Sequence, residues 1–408
     1  MPQLDKVPIP DRLPAPAASV RKRASDLGFQ AIRRPGLALL RTLRAIPVVR
    51  KRFIPALLKT ELDAIPSAAA AEEVRNELER LQGTQGPLLV GPWVGEVGFE
   101  LLYWIPFLNW ALTAYQLDRR RLVVVSRGGA APWYRHLTEE YLDVFSLFSL
   151  EEYREANEAR WDKAGHQKQY QVEQMDRDIV ERACGRAGLG RVELLHPWLM
   201  YRLLRFAWFE KAGIGLLKHH TDYRRLMPMA RSARLAGLPE EYVAVRFYFR
   251  PSFPDTTANR RFAADTIRAL AREVPVVLLN TGLRPDEHED FAPSGAGIYH
   301  VDRLMRLEQN LELQTEIVSH ARAFVGTYGG LSYVGPFYGV PSVAFYSTES
   351  ELIPMHIDVS WRLGRSMGAS LTILHTGVAG LLGNLLGAPV RPDDTGLVRE
   401  PEIRQTNS

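Results

Sequence analysis

The sequence predicts an α/β protein with two Rossmann-like lobes facing a cleft, a helical insertion and a basic N-terminal arm. Two stretches, 87–148 and 242–347, alternate short apolar segments of the strand type with amphipathic segments of the helix type. Such alternation is typical of parallel sheets covered by helices. The 408 residues suffice for two or three domains, and 46% hydrophobic with 24% charged residues excludes a mainly disordered, collagenous or coiled-coil chain.

The arm, residues 1–60, holds 13 Lys/Arg and 3 Asp/Glu, whereas the remaining chain has a net charge of −6. This asymmetry indicates an anionic partner for the arm. Apolar residues alternate with arginines over 27–58, and prolines divide that stretch, which suits a segment lying on an anionic membrane surface. A solvated arm packed on the body is an equal alternative. Nucleic acid is disfavoured, because the arm lacks interleaved aromatic residues and the body is acidic.

The compartment follows from three further observations. The first 20 residues contain five prolines and no uninterrupted apolar run, so we expect no secretory signal. No window is apolar enough for a spanning helix. The single cysteine, Cys184, cannot form an internal disulfide, so the chain needs no oxidising compartment. We expect a cytoplasmic protein, placed by its arm at the inner face of the plasma membrane.

The N-terminal Rossmann-like lobe is predicted over residues 61–235. Its first part contains a helix ending at Gly83, strands at 87–93 and 121–126, and helices at 100–116 and roughly 131–148. The rest, from 150 to 235, is predicted to be a helical insertion. We interpret the charged residues of 151–182 as a solvated helix face. The aromatic stripe at 198–209 is expected in the core, with contact to acceptor or lipid as the alternative.

The C-terminal Rossmann-like lobe is predicted over residues 236–388, followed by a disordered tail at 389–408. Ligands of open parallel sheets bind outside the carboxyl ends of the strands, so functional residues are expected there. Helices are predicted at 311–321 and 331–339. Strands are predicted at 242–249, 274–280, 297–302, 323–329 and, as the last one, 341–347.

One candidate motif follows the first strand and opens a helix, with the sequence VGPWVGEVGFELLYWIP at 90–106. Its glycines allow close backbone approach, and Glu96 and Glu100 lie at or beside the helix N-terminus. A carboxylate there could act as a base if it is hydrogen-bonded to a substrate. The alternative is that both glutamates are simple helix caps. The aromatic residues downstream favour a pocket wall.

A second motif combines a glycine turn with two arginines. Gly329 and Gly330 lie between a strand and a helix, where exposed backbone N–H groups suit a diphosphate. Arg246 and Arg250 lie on one strand, and alternation places them on the same face, where both could hold phosphate. The alternatives are a glycine turn that serves packing only and arginines that are exposed or paired.

Other patterns are discounted. Asp176-Arg177-Asp178 resembles a metal element of another class of sugar transferases, but it does not follow a strand. The segment PDEHEDF at 285–291 is interpreted as a solvated loop. The sequence contains no P-loop lysine motif and no GxGxxG. No metal site and no cofactor are therefore expected.

The turn at 327–347, TYGGLSYVGPFYGVPSVAFYS, resembles the C-terminal sugar-nucleotide motif of the ADP-heptose transferase group of GT-B-fold glycosyltransferases. The arginine strand followed by this late turn is also similar to fucosyltransferases. Tyr328 and Tyr333 stand where the heptose group has Asp and His. The positions in register are Thr327, Gly330, Gly339 and Pro341.

The resemblance also assigns a base. The heptose group has an acidic acceptor base six positions before a proline, and Glu100 stands six positions before Pro106. The resemblance therefore gives that role to Glu100, with Glu96 as the rival.

The resemblance implies a glycosyltransferase that moves a sugar from a nucleotide diphosphate sugar, its co-substrate, to a glycan or lipid-linked acceptor. The expected context is cell-surface polysaccharide synthesis, with no metal and with inversion. Two alternatives are group transfer like that of polysaccharide pyruvyl transferases and a non-catalytic GT-B-like subunit recruited to a membrane. The residues expected at the donor are Arg246, Arg250, Asn280, Thr327, Gly329, Gly330, Leu331 and Ser332.

Overall fold

The computed structural model describes residues 56–164, 168–209, 213–283 and 289–378. Almost all of the basic arm and the predicted tail lie outside the described residues. A long helix, α1 (Ala56–Gln82), precedes the first strand and ends just before Gly83, as the sequence predicts.

The first sheet is built from the strands β1 (Leu88–Val90), β2 (Leu122–Ser126), β3 (Tyr141–Asp143) and β4 (Glu193–Leu195). All four are parallel, in the order β3-β2-β1-β4, which confirms the prediction of a parallel α/β lobe. The helices are α2 (Val97–Phe99), α3 (Ile105–Ala114), α4 (Ala131–Tyr134), α5 (Leu150–Ala164), α6 (Gln174–Ala187), α7 (Trp198–Phe209) and α8 (Gly213–His220). A π-helical turn at Glu100–Trp104 joins α2 to α3, so helical backbone continues from 97 to 114.

Two predictions in this lobe are wrong. The helix expected over 131–148 stops after Tyr134, and β3 follows, paired with β2. The insertion is not purely helical either, since β4 adds an edge strand to β1. Both missed strands are three residues long, and pairing with a neighbouring strand rather than local propensity decides such short segments.

The second sheet is built from the strands β5 (Val243–Phe249), β6 (Val276–Leu278), β7 (Glu289–Phe291), β8 (Ile298–His300), β9 (Ala323–Thr327), β10 (Ser342–Tyr346) and β11 (Leu371–His375). Six of them are parallel, in the order β11-β10-β9-β5-β6-β8, and β7 pairs antiparallel with the end of β5. The second parallel lobe is thereby confirmed, but β11 shows that 341–347 is not the last strand. The helices are α9 (Thr257–Glu273), α10 (Asn310–Ser319), α11 (Val334–Phe337) and α12 (Pro354–Ser366).

The two lobes touch at several points. The indole Nε1 of Trp133 donates to Thr315 Oγ1 at 3.0 Å, within a buried contact. At a second point Gly98 and Gly330 meet: a Cβ built on Gly330 would lie 2.7 Å from the backbone nitrogen of Gly98. Such close approach requires glycine. The segment that follows β1 therefore lies directly against the turn that follows β9.

In the described part of the chain, no helix combines the length and the apolar character that a membrane span requires.

Candidate functional site

Glu96 lies at the junction of the lobes, at the end of the segment that connects β1 to α2. Its side chain is exposed, and it occupies the position before α2 without a side-chain hydrogen bond to the helix. Its negative charge acts on two cations, Lys168 and Arg250. Glu96 is thus an accessible carboxylate with two positive charges nearby.

Glu100 is placed differently, with only 1% of its surface exposed. Its Oε1 accepts hydrogen bonds from the hydroxyls of Ser126 at 2.5 Å and Tyr134 at 2.6 Å. Burial raises the pKa of the Glu100 carboxyl to about 7, and these two hydrogen bonds oppose that rise. Neither glutamate therefore caps the helix with its side chain. Glu96 is the more accessible of the two candidate bases.

The raised pKa of Glu100 predicts a pH-dependent stability. The unfolded carboxyl ionises near 4.5 and the folded one near 7, so the contribution of Glu100 falls as pH rises through that window. The Gln side chain of the Glu100→Gln variant cannot ionise. The free energy of unfolding of this variant, taken relative to that of the native chain, should therefore be higher at pH 8 than at pH 5 by on the order of 1 to 3 kcal/mol. Urea denaturation at both pH values measures the gain. Glu139→Gln, at an exposed position, is the control and should show no such change. If the free energy of unfolding of Glu100→Gln differs from that of the native chain by the same amount at pH 5 and pH 8, the burial argument is refuted.

Arg246 is paired with side chains of β7 and α10. Its Nε and Nη2 donate to Asp290 Oδ1 at 3.0 and 2.9 Å, and its Nη1 donates to Gln314 Oε1 at 2.7 Å. The interpretation of 285–291 as a solvated loop is wrong for Asp290, which also accepts from the backbone N–H of Thr281 at 2.8 Å. Residues 284–288 lie outside the described residues.

Arg250 lies against the glycine turn after β9. A Cβ built on Gly329 would lie 2.7 Å from Arg250 Nη1 and 2.0 Å from the hydroxyl oxygen of Tyr248. Any side chain at Gly329 would therefore displace both groups. Arg250 thus borders the turn that the sequence assigns to a diphosphate, whereas the hydrogen bonds of Arg246 go to Asp290 and Gln314.

Three of the other predicted donor residues belong to this turn or to the end of the strand before it. Thr327 Oγ1 accepts from the backbone N–H of Tyr248 at 3.1 Å and donates to its carbonyl at 2.9 Å, which ties β9 to β5. The Ser332 hydroxyl donates to the Gly329 carbonyl at 2.7 Å and closes the turn. Leu331 is buried in the core. The fourth, Asn280, follows β6, and its buried Oδ1 has no hydrogen-bond partner among the described residues.

The two tyrosines that replace the heptose group's Asp and His contact each other. Tyr333 donates its hydroxyl proton to the Tyr328 hydroxyl at 2.9 Å, and both side chains are buried. Burial raises the pKa of Tyr328 and of Tyr333. Both phenols therefore stay protonated, and the turn gains hydroxyl groups where the heptose group has ionisable side chains.

Aromatic side chains around Phe99 contact two groups, Lys168 and His356, that the sequence did not single out. Lys168 Nζ lies 4.4 Å from the centre of the Phe99 ring and 6.0 Å from that of Trp208. His356, on α12, shares a hydrogen bond with the Tyr103 hydroxyl. Burial, together with the positive charges of Lys168 and Arg250, lowers the pKa of His356 to about 3. No sequence pattern marks Lys168, which lies in a stretch rich in charged residues.

The aromatic stripe of α7 is part of this cluster. Tyr201 stacks on Trp93 at 6.1 Å between ring centres, and Trp208 meets Phe99 edge to face at 5.0 Å. Both side chains are buried, which confirms the expectation of a core position. Among the described residues, no group of three or more His, Cys, Asp or Glu side chains is placed to hold a metal ion.

No protein-family model matches the chain, and no curated protein sequence matches it. Among solved structures, the glycosyltransferase family 9 protein of Veillonella parvula is similar at 12% identity and a TM-score of 0.40, over 75% of this chain and 90% of that one. The ADP-heptose lipopolysaccharide heptosyltransferase II of E. coli is similar at 12% identity and 0.38, over 74% and 100%. E. coli heptosyltransferase WaaC with ADP is similar at 14% identity and 0.37, over 74% and 98%.

The second and third of these structures are named as heptosyltransferases. With identities of 12–14% and TM-scores of 0.37–0.40, what this chain does has to be argued from its own residues.

Proposed function

We propose that the chain is a glycosyltransferase that moves a sugar from a nucleotide diphosphate sugar to a glycan or lipid-linked acceptor in cell-surface polysaccharide synthesis. The observation that carries the proposal is the meeting of the two lobes. The accessible carboxylate of Glu96, the guanidinium of Arg250 and the turn at Gly329–Gly330 lie where the segment after β1 touches the turn after β9. A base, a cation and backbone amides are the groups that transfer from a diphosphate leaving group requires.

Each group has a separate role in this proposal. Glu96 takes the proton of the acceptor hydroxyl as that oxygen attacks the anomeric carbon, and Glu100 is the buried rival. Arg250 and the amides of Gly330 and Leu331 stabilise the negative charge that develops on the leaving diphosphate. Direct attack assisted by one base inverts the anomeric configuration. Because an arginine and amides can stabilise the leaving group, the proposed reaction uses no metal and should persist in EDTA.

Nucleotide binding tests the proposal. A panel of nucleoside diphosphates should include one that raises the melting temperature by several degrees, because ligand binding to the folded state stabilises it. For that nucleotide, Arg250→Ala should weaken binding roughly ten- to hundredfold, which is the effect of removing a charge-assisted hydrogen bond. Arg246→Ala is the matched variant, since Arg246 lies on β5, directly after which Arg250 follows, but its guanidinium binds Asp290. Isothermal titration calorimetry measures both affinities.

The outcome separates the alternatives. A larger loss with Arg246→Ala than with Arg250→Ala would transfer the donor site to Arg246. Nucleotide binding without sugar release, but with transfer from a pyruvyl donor, would favour the pyruvyl transferase alternative. No stabilisation by any nucleotide, together with intact liposome binding, would favour the non-catalytic membrane-recruited subunit.

We further propose that residues 1–60 hold the enzyme on an anionic membrane surface, where lipid-linked acceptors lie. The support is the net charge of +10 in these residues, interleaved with apolar side chains. Deleting residues 1–60 should abolish sedimentation with liposomes that contain anionic lipid and leave nucleotide affinity unchanged. Equal sedimentation of the shortened chain would contradict this role.

A further inference from the structure

A buried polar network lies behind the segment that carries Glu96. Gln169, Asp176 and His196 are each 0% exposed. This corrects the interpretation of 151–182 as a solvated helix face, since Asp176 belongs to that stretch. Polar side chains of this kind destabilise a core unless they are hydrogen-bonded, so their partners indicate what the network does.

The partners of Gln169 are backbone groups of the segment after β1. Its Nε2 donates to the carbonyl of Pro92 at 2.7 Å, and its Oε1 accepts from the N–H of Val94 at 3.2 Å. Because β1 ends at Val90, one side-chain amide binds a donor and an acceptor of this segment beyond the strand. Arg127 Nη2 donates to the carbonyl of Gly95, the residue before Glu96, at 3.0 Å. The backbone leading to Glu96 is therefore fixed by side chains.

The orientation of Gln169 is fixed in turn. Its Nε2 also donates to Asp176 Oδ1 at 3.0 Å, and an ionised carboxylate only accepts hydrogen bonds. Asp176 Oδ2 lies 3.3 Å from His196 Nε2. The N–H of Trp198 donates to His196 Nδ1 at 3.0 Å, which leaves the imidazole proton on Nε2, facing Asp176. The amide of Gln169 cannot rotate by 180° without losing these partners.

We infer that Gln169, oriented by Asp176 and His196, is a positioning residue for Glu96. The inference rests on the proposed function, in which Glu96 is the base. A base must lie within hydrogen-bond reach of the acceptor hydroxyl, and displacement of about 1 Å costs up to a hundredfold in rate. The neighbouring Lys168 lies over Phe99 on the side of Glu96, so the same short segment also places a cation beside the base.

Gln169→Met tests the inference, because it keeps the length of the side chain and removes all three hydrogen bonds. We expect kcat for release of the nucleoside diphosphate to fall at least tenfold, while the Kd for that nucleotide stays within twofold. Gln171→Met, at an exposed position on the same segment, is the control and should change neither. Unchanged kcat in folded Gln169→Met protein, or a parallel loss of kcat and nucleotide affinity, would overturn the inference.

Amide hydrogen exchange tests the same inference without activity. Gln169→Met should speed exchange in a peptide covering 91–99 at least tenfold and leave β2 unchanged, and equal exchange in both proteins would overturn it. If Gln169→Met does not fold, Asp176→Asn, which removes the ionised acceptor that orients Gln169, is measured in its place with the same criteria. If Gln169→Met speeds exchange as expected but the native chain binds no nucleotide, the proposed function is refuted, whereas the role of Gln169 in positioning the segment is retained.

Discussion

Glu96→Gln is expected to reduce turnover by about a hundredfold to ten-thousandfold, which is the range that a general base contributes. The amide keeps the shape of the side chain and removes its ability to take a proton. Nucleotide affinity should stay equal or rise slightly, because the substitution removes a negative charge that faces Arg250, beside the proposed diphosphate site. The measurement is release of nucleoside diphosphate from the nucleotide sugar whose diphosphate stabilises the chain most.

Two matched variants make this result specific. Glu139→Gln changes an exposed glutamate away from the junction of the lobes and should keep full turnover. Glu100→Gln changes the buried rival and should keep most of it. If Glu100→Gln abolishes turnover and Glu96→Gln does not, the base is Glu100. Near-full turnover in both variants would show that neither glutamate is the base, and the mechanism would be wrong.

Gly329→Ala is expected to weaken binding of the nucleoside diphosphate at least tenfold and to destabilise the fold by about 1–3 kcal/mol, as overpacking does. The added methyl group would lie 2.0 Å from the Tyr248 hydroxyl oxygen and 2.7 Å from Arg250 Nη1. Both groups must move, and Arg250 would then leave the position that the proposal assigns to the diphosphate. Titration calorimetry and urea denaturation measure the two effects.

The control for this substitution is Gly190→Ala, since a Cβ at Gly190 has no heavy atom within 4 Å. It should leave both affinity and stability unchanged. Adding Tyr248→Phe to Gly329→Ala removes the nearest clashing atom and should restore part of the stability. Native stability and affinity in Gly329→Ala alone would contradict the packing on which the site is built.

The strands that could be predicted are those with strong local patterns. β2 contains three consecutive valines and β5 is rich in valine and aromatic residues, and the structure places both strands near the predicted positions. The three-residue strands β3 and β4 could not be predicted, because their pairing with β2 and β1 is a tertiary contact. Likewise β11 lies beyond the last motif, in a sequence with no marked alternation.

The candidate site was predictable in its backbone and less so in its side chains. Glycine spacing located the turn at 329–330 and the segment that carries Glu96. The alternation of side chains along a strand predicted that Arg246 and Arg250 share one face. It could not show that Arg246 is paired with Asp290, since Asp290 lies on another strand. Lys168 and Gln169 reach the site from a segment between α5 and α6, and no local pattern reports such long-range placement.

The contacts between the lobes limit how the cleft can change its width. The lobes meet at Gly98 with Gly330, at Trp133 with Thr315 and at Tyr103 with His356. Contacts at three separate points hold two rigid bodies in one relative position, so the cleft can widen only if at least one of these contacts breaks. Glu96 and Arg250 stay close together as long as Gly98 remains against Gly330, because that contact lies two residues from Glu96 and next to Gly329, which Arg250 touches.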